Sequence, residues 1–211
     1  MTRILCFGDS ITLGEGAIDG DGWADLLKYE FYRRAQDRNF QDVVLYNLGI
    51  AGETSDGLKH RFVTEFKARA IKRLQNIVIL AYGINDIVVH KNKNIVPEYY
   101  FLANLEHAIN FAQLNGSQVL LVGLTPISRD SDGKINQHEE LRFSAHIHQY
   151  NQALESLAKS RDCSFIDLHS IFVEHGENRL GQDGLHPNSE THQLIARVIL
   201  ERLNELIGKR R

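Results

Sequence analysis

The chain contains no apolar run near the roughly 20 residues needed to cross a bilayer, and only two of its 211 residues are cysteines. The first absence argues against an integral membrane segment. The second argues against a disulfide framework, because two cysteines in a chain of this size do not make one. Cys6 and Cys163 both fall inside predicted strands and read as buried apolar thiols. A formal charge of −3 leaves no basic excess to track a phosphate backbone, so no nucleic-acid partner is expected. The one basic cluster, Lys209-Arg210-Arg211, reads as a solvated tail. The first apolar run, Ile4 to Phe7, is too short for the core of a signal peptide and leads straight into Gly8-Asp9-Ser10, so a cytoplasmic location is expected. No repeat, linker or low-complexity stretch interrupts the sequence. With 43% hydrophobic and 24% charged residues, the composition is that of a soluble globular protein, and one domain is expected over residues 1–211.

What the sequence does contain is an alternation of two periods. Ile4-Leu5-Cys6-Phe7 is continuously apolar, as a strand buried on both faces of a parallel sheet should be. Trp23, Leu27, Phe31 and Ala35 then recur every four residues and predict an amphipathic helix running to about Asp37. Val43 to Tyr46 is a second strand, closed by the glycine-rich turn 47–52. Leu58, Phe62, Phe66 and Ala70 mark the next helix, and Ile77 to Tyr82 the clearest strand. After a polar loop around Lys91 to Asn94, Pro97 opens a helix with Leu102, Leu105, Ile109 and Ala112 on its core face and Asn115-Gly116 as its stop. Val119 to Val122 is a fourth strand. A long loop from Thr125 to about Gln137 separates it from a helix carrying Ile147, Tyr150, Leu154 and Leu157, then a fifth strand, Ser164 to Asp167. A closing helix runs from about Ser189 to Ile207. Five strand–helix alternations call for an α/β fold, a five-stranded parallel sheet covered by helices on both faces. Ligands of such sheets bind at the carboxyl ends of the strands.

Four turns open on that edge. They carry Gly8-Asp9-Ser10, Gly52, Gly83-Ile84-Asn85-Asp86, and, after the fifth strand, Asp183-Gly184-Leu185-His186-Pro187. Acyl transfer needs a nucleophile, a base, an orienter for the base and donors where an oxyanion will form. Ser10 offers a hydroxyl and His186 an imidazole. Asp183 offers a carboxylate able to hold one ring nitrogen and leave the other as base. The backbone N–H groups of Ser10 and Gly52 and the side-chain amide of Asn85 are candidate oxyanion donors. Each residue also has a plain structural reading. Asp9 or Ser10 can cap a helix, Gly52 can serve only for its backbone freedom, Asn85-Asp86 can be a capping pair, and Asp183 with Pro187 can merely form the turn before the last helix. Asp167-x-His169 is a rival acid–histidine pair. His146 and His148 face opposite sides of one helix and are poor joint metal ligands.

Taken in order, these four blocks resemble the GDSL or SGNH hydrolases, and the resemblance spans nearly the whole chain. It implies a flavodoxin-like three-layer α/β/α sandwich and a serine esterase acting without cofactor or metal. By resemblance, Ser10 is the nucleophile, Asp183 and His186 complete the triad, and Ser10, Gly52 and Asn85 form the oxyanion hole. The partner implied is a small-molecule ester: a small acyl ester, lysophospholipid, thioester or acetylated sugar. Ile11 stands where the family name has leucine, a conservative change. Thr191-His192 replaces a small residue and an aromatic of many relatives, with consequences for helix packing more than for catalysis. The Gly-x-Ser-x-Gly elbow of the α/β-hydrolases is missing around Ser10. The alternative is a non-catalytic flavodoxin-like module holding phosphate or another small ligand at the Gly8–Ser10 turn, which would have no use for the His186–Asp183 pair.

Two further expectations concern the substrate. Ile84, Ile87, Val88 and Val89 lie next to the proposed oxyanion hole and suit either an acyl chain or the core. The charged loop residues Arg129, Asp130, Asp132 and Lys134 suggest a wet entrance, favouring small, soluble esters.

Overall fold

In the computed structural model, which describes residues 1–37, 40–175 and 179–208, the apolar run Ile4–Phe7 lies in strand β1 (Thr2–Gly8) and is fully buried. Its uniform hydrophobicity follows from its place, since alternate side chains point to opposite faces of the sheet and all four are buried. β1 pairs in parallel with β2 (Val43–Gly49) and with β3 (Gln75–Ala81). β6 (Gln118–Val122) adds to β3, and β7 (Ser164–Ile166) to β6. The sheet is all-parallel in the order β2-β1-β3-β6-β7. This is the flavodoxin-type order, in which the chain steps outward from β1 to β2 and then returns to the other side at β3. The crevice outside the ends of β1 and β3 is therefore the topological place for a ligand.

The four-residue ladders form the helices predicted from them. Trp23, Leu27 and Phe31 are buried along α2 (Trp23–Arg34), which stops short of Asp37 and packs on α7 (Ser189–Gly208). Leu58, Phe62 and Phe66 are buried along α3 (Ser55–Arg69), which packs on α4 (Glu98–Leu114), and α4 in turn on α5 (Ser144–Ser160). Phe62 joins layers, its ring 4.9 Å from Phe7 of β1 and 6.2 Å from Phe111 of α4. Truncating so buried an aromatic costs on the order of 3–5 kcal/mol. Pro97 is the N-cap of α4, as its position suggested.

The structure also departs from expectation. The polar loop around Lys91 to Asn94 is a small antiparallel hairpin of β4 (Val89–His90) and β5 (Lys93–Asn94), turned by Lys91 and Asn92 at φ of 50° and 62°. Two central residues at positive φ fit the twist of a tight hairpin, but a Lys-Asn pair lacks the glycine that would announce one. Two short helices, α1 (Ser10–Leu13) and α6 (Leu168–His175), follow β1 and β7 directly. Cys163 lies just before β7 and is only partly buried, whereas Cys6 is fully buried; both thiols are free. Ile84, Ile87 and Val88 are buried, with Ile84 and Ile87 in the main core cluster. The tail Lys209-Arg210-Arg211 lies outside the described residues. Among the described residues no helix is long and apolar enough to cross a membrane.

Candidate active site

β1 delivers its last residue, Gly8, to the sheet edge, and Asp9 caps α1 by accepting the Ile11 N–H at 3.0 Å. The capping reading therefore holds for Asp9 and leaves Ser10 free of that role. As first residue of α1, Ser10 has a backbone N–H with no intrahelical acceptor. Its Oγ lies 2.9 Å from Nε2 of His186, a partner 176 positions away.

The segment carrying His186 is built by Asp183. One carboxylate oxygen accepts the N–H groups of Leu185 and His186, both at 3.0 Å, and the other meets His186 Nδ1 at 2.5 Å. Asp183 thus forms the turn through one oxygen and holds the His186 ring through the other. A carboxylate only accepts, so Nδ1 carries the proton and Nε2 presents a lone pair to the Ser10 hydroxyl. Gly181 N–H donates to the His186 carbonyl at 2.7 Å, and Ser128 N–H to the Gly184 carbonyl at 2.8 Å, anchoring the turn from both sides. The loop after α1 closes on it at Gly16 (φ +92°), where a Cβ would sit 2.3 Å from the Pro187 carbonyl oxygen.

After β2 the chain turns at Gly52, φ +72° with open space where a Cβ would stand, so glycine serves its backbone conformation here. Next to this turn is a half-buried ion pair. Arg61 Nη2 donates to Glu53 at 2.5 Å and to the Leu48 carbonyl at 2.6 Å, and the Tyr82 hydroxyl donates to Glu53 at 2.6 Å. After β3, Asn85 donates its amide N–H to the Glu53 carbonyl at 3.1 Å and accepts at Oδ1 from Arg142 Nη2 at 3.1 Å. The neighbouring Asp86 takes the capping role, accepting the Ser55 N–H at 3.0 Å and hydroxyl at 2.5 Å at the start of α3.

Ser10, Gly52, Asn85, Asp183 and His186 line one cleft of about 790 Å³. Several residues that the sequence does not single out also line it. Glu15 lies with Oε2 3.2 Å from His186 Nε2. Its backbone carbonyl accepts from Nε2 of His192 at 3.0 Å, while His192 Nδ1 accepts the Trp23 N–H at 3.2 Å. The buried His192 thus does pack a helix, as expected, but it also pins a residue of the cleft. The outer wall comes from Asn136, Gln137, His138, Glu140 and Arg142 rather than from Arg129, Asp130, Asp132 and Lys134. Asp167 and His169 stand outside the cleft: the Asp167 carboxylate takes the Ser170 N–H and hydroxyl, and the His169 ring packs at a tilt against His148, centroids 4.3 Å apart.

Burial shapes the charges. It raises Asp9 to about 7, with the Ile11 N–H opposing the rise and the Asp86 charge adding to it. It raises Asp86 to about 6 against the hydrogen bonds from Ser55. For Asp183 burial also pushes upward, but the His186 ring and the N–H groups of Leu185 and His186 outweigh it and hold the carboxyl below its ordinary range. Asp183 is thus fit to stay ionised beside a histidine that gains a proton.

The chain matches the GDSL-like Lipase/Acylhydrolase family over residues 6–194. No curated protein matches it. Among solved structures it is similar to a lipase/acylhydrolase of Enterococcus faecalis, with 22% identity, TM-score 0.76 and coverage of 96% of this chain and 95% of that one. It is similar to a psychrotrophic esterase of a Pseudoalteromonas species, with 17% identity, TM-score 0.73 and 98% and 99% coverage. It is also similar to an acetylxylan esterase of Geobacillus stearothermophilus, with 21% identity, TM-score 0.70 and 94% and 92% coverage. Likeness at this identity speaks for the shared fold.

Proposed function

The chain belongs to the GDSL-like lipase/acylhydrolase family of carboxylic ester hydrolases, and from that premise we propose that it cleaves small, soluble esters through an acyl-enzyme on Ser10. The observation that carries this reading is the continuous relay Ser10 Oγ, His186 Nε2, His186 Nδ1 and Asp183, at 2.9 and 2.5 Å, in the wall of an open cleft. In the first half-reaction Ser10 Oγ bonds to the ester carbonyl carbon and its proton passes to His186 Nε2. The carbonyl electrons move onto oxygen, where the N–H groups of Ser10, Gly52 and the Asn85 amide are the proposed donors. The oxyanion collapses, the bond to the alcohol oxygen breaks, and that oxygen takes the proton from His186. Water repeats the sequence on the acyl-enzyme and releases the acid. The imidazolium formed in between lies against two carboxylates, Asp183 and Glu15.

The lining supports a short acyl group and a polar alcohol. Asn136, Gln137, His138, Glu140 and Gln182 are polar; of the four residues that could have gripped a long acyl chain, Ile84, Ile87 and Val88 are buried, and half-buried Val89 is not part of the cleft lining. Esters of small acids with polyhydroxy alcohols, acetylated sugars among them, fit better than lysophospholipids. The acetylxylan esterase among the structural neighbours agrees with this preference. The free thiols fit the reducing conditions of the cytoplasm.

A fluorophosphonate labels only an activated serine, and the Pseudoalteromonas neighbour was solved inhibited by monoethylphosphonate. Wild type should be labelled at Ser10. Ser10→Ala should resist labelling and lose on the order of 10⁶ in kcat with its fold intact. Unlabelled wild type, or a folded Ser10→Ala enzyme with normal turnover, would instead favour the ligand-binding module. A p-nitrophenyl series from acetyl to palmitoyl should show kcat/KM falling steadily with chain length.

A further inference from the structure

We propose that Arg142 is a positioning residue for the oxyanion hole: its guanidinium sets which way the Asn85 amide points and leaves one N–H of that amide for the developing charge. The inference rests on the assignment of Asn85 as an oxyanion donor and adds a residue to that machinery.

A guanidinium has N–H donors and no acceptor, so the amide atom facing it must be Oδ1. A backbone carbonyl only accepts, so the amide atom facing Glu53 must be Nδ2. Arg142 Nη2 donates to Asn85 Oδ1 at 3.1 Å and Asn85 Nδ2 donates to the Glu53 carbonyl at 3.1 Å. Both contacts demand the same orientation. Rotating the amide by half a turn would set NH₂ against guanidinium and carbonyl against carbonyl, replacing two hydrogen bonds with two repulsions. One Nδ2 hydrogen is spent on Glu53, and among the described residues Asn85 Nδ2 has no other acceptor, so the second hydrogen is left for a ligand of the cleft that Asn85 lines.

Arg142 is itself held firmly. Its side chain is 6% exposed; Nε donates to the Ile84 carbonyl at 2.8 Å and Nη1 to Glu140 at 2.7 Å. One planar group thus grips both the backbone just before Asn85 and the side chain of Asn85. A positive charge behind the amide oxygen also polarises the amide toward stronger donation from nitrogen. Lysine would keep the charge but not the planar fork that meets several acceptors in one plane.

The test is a double-substitution cycle with p-nitrophenyl acetate, with folding checked by circular dichroism. Asn85→Ala should lower kcat by roughly 10²–10³. Arg142→Met should lower kcat by about 10- to 100-fold, the worth of a hydrogen bond to a charged group, with little change in KM. Added to Asn85→Ala, it should cost no more than about 2-fold further. Arg142→Lys should recover part of the kcat, and if the Met variant does not fold, the same cycle run with Lys decides. Unchanged kcat in a folded Arg142 variant, a change in KM alone, or an equal loss with and without Asn85 would overturn the role of Arg142. A silent Asn85→Ala would overturn the oxyanion assignment itself, and is told apart because it appears in the single Asn85 variant.

Discussion

Asp183 holds the turn through one oxygen and the His186 ring through the other, and two substitutions separate those contacts. In Asp183→Asn the remaining oxygen can still accept the N–H groups of Leu185 and His186, now at 3.0 Å, so the turn and the melting temperature should survive. The new NH₂ would then face His186 Nδ1. A donor there forces Nδ1 to accept, moves the ring proton to Nε2, and sets N–H against the Ser10 hydroxyl where the base should be. The expected loss in kcat approaches 10⁴, the cost of the wrong tautomer in other triads. Asp183→Ala instead removes both backbone bonds. At about 1 kcal/mol each for a partly exposed group, the loss is about 2 kcal/mol, or a melting temperature lower by roughly 4–8 °C in a chain of this length. The Ala variant leaves Nδ1 to water, so either tautomer is open to it. The Asn enzyme should therefore be the more stable of the two and no more active. Steady-state kinetics with p-nitrophenyl acetate and thermal melts of both proteins measure this, and an Asn variant within tenfold of wild-type kcat would refute the orienting role.

Asp9 yields a stability profile. Burial raises its carboxyl from 3.8 to about 7, so between these values the folded protein holds a proton that the unfolded chain has released. Its contribution to stability is fully present below about pH 4 and is lost as pH rises through 7. The full shift corresponds to at most about 4 kcal/mol. Denaturant unfolding from pH 4 to 8 should show this component in wild type and not in Asp9→Asn; identical slopes would contradict the buried, proton-holding carboxyl. At Gly16 a Cβ would lie 2.3 Å from the Pro187 carbonyl oxygen and 2.9 Å from His186 Cβ, at φ +92°. Gly16→Ala should lower stability by about 1–3 kcal/mol and reduce kcat further than the stability loss explains, because the loop must move away from His186. A destabilised variant with wild-type kcat would show that the contact serves folding alone.

The parts of this molecule that could be read from sequence are those fixed by period and topology. A parallel sheet needs strands that are apolar on both faces, and Ile4–Phe7 and Ile77–Leu80 are such runs, buried as β1 and β3. Once four crossovers join five parallel strands, the strand ends are brought to one edge, so Ser10, Gly52 and Asn85 could be placed together without knowing any loop. Asp183 and His186 could be placed because a three-residue spacing in a turn limits where their side chains go. The cleft wall had no such constraint. Residues 136–142 lie within the stretch that leads from β6 to α5, without a repeating period, and nothing local distinguishes Arg142 from the charged residues Arg129 or Lys134 nearby. Only the fold shows that its guanidinium closes onto Asn85, 57 positions earlier. Glu15 was hidden for a similar reason, since its approach to His186 depends on the close packing of Gly16 on Pro187. Isoleucines 84 and 87 suited either an acyl pocket or the core from their place beside Asn85, and the turn after β3 sends them into the core. The residues gathered at the strand ends were therefore legible from elements that a parallel sheet must build, while the shape of the cleft is carried by loop residues whose partners lie far away in sequence.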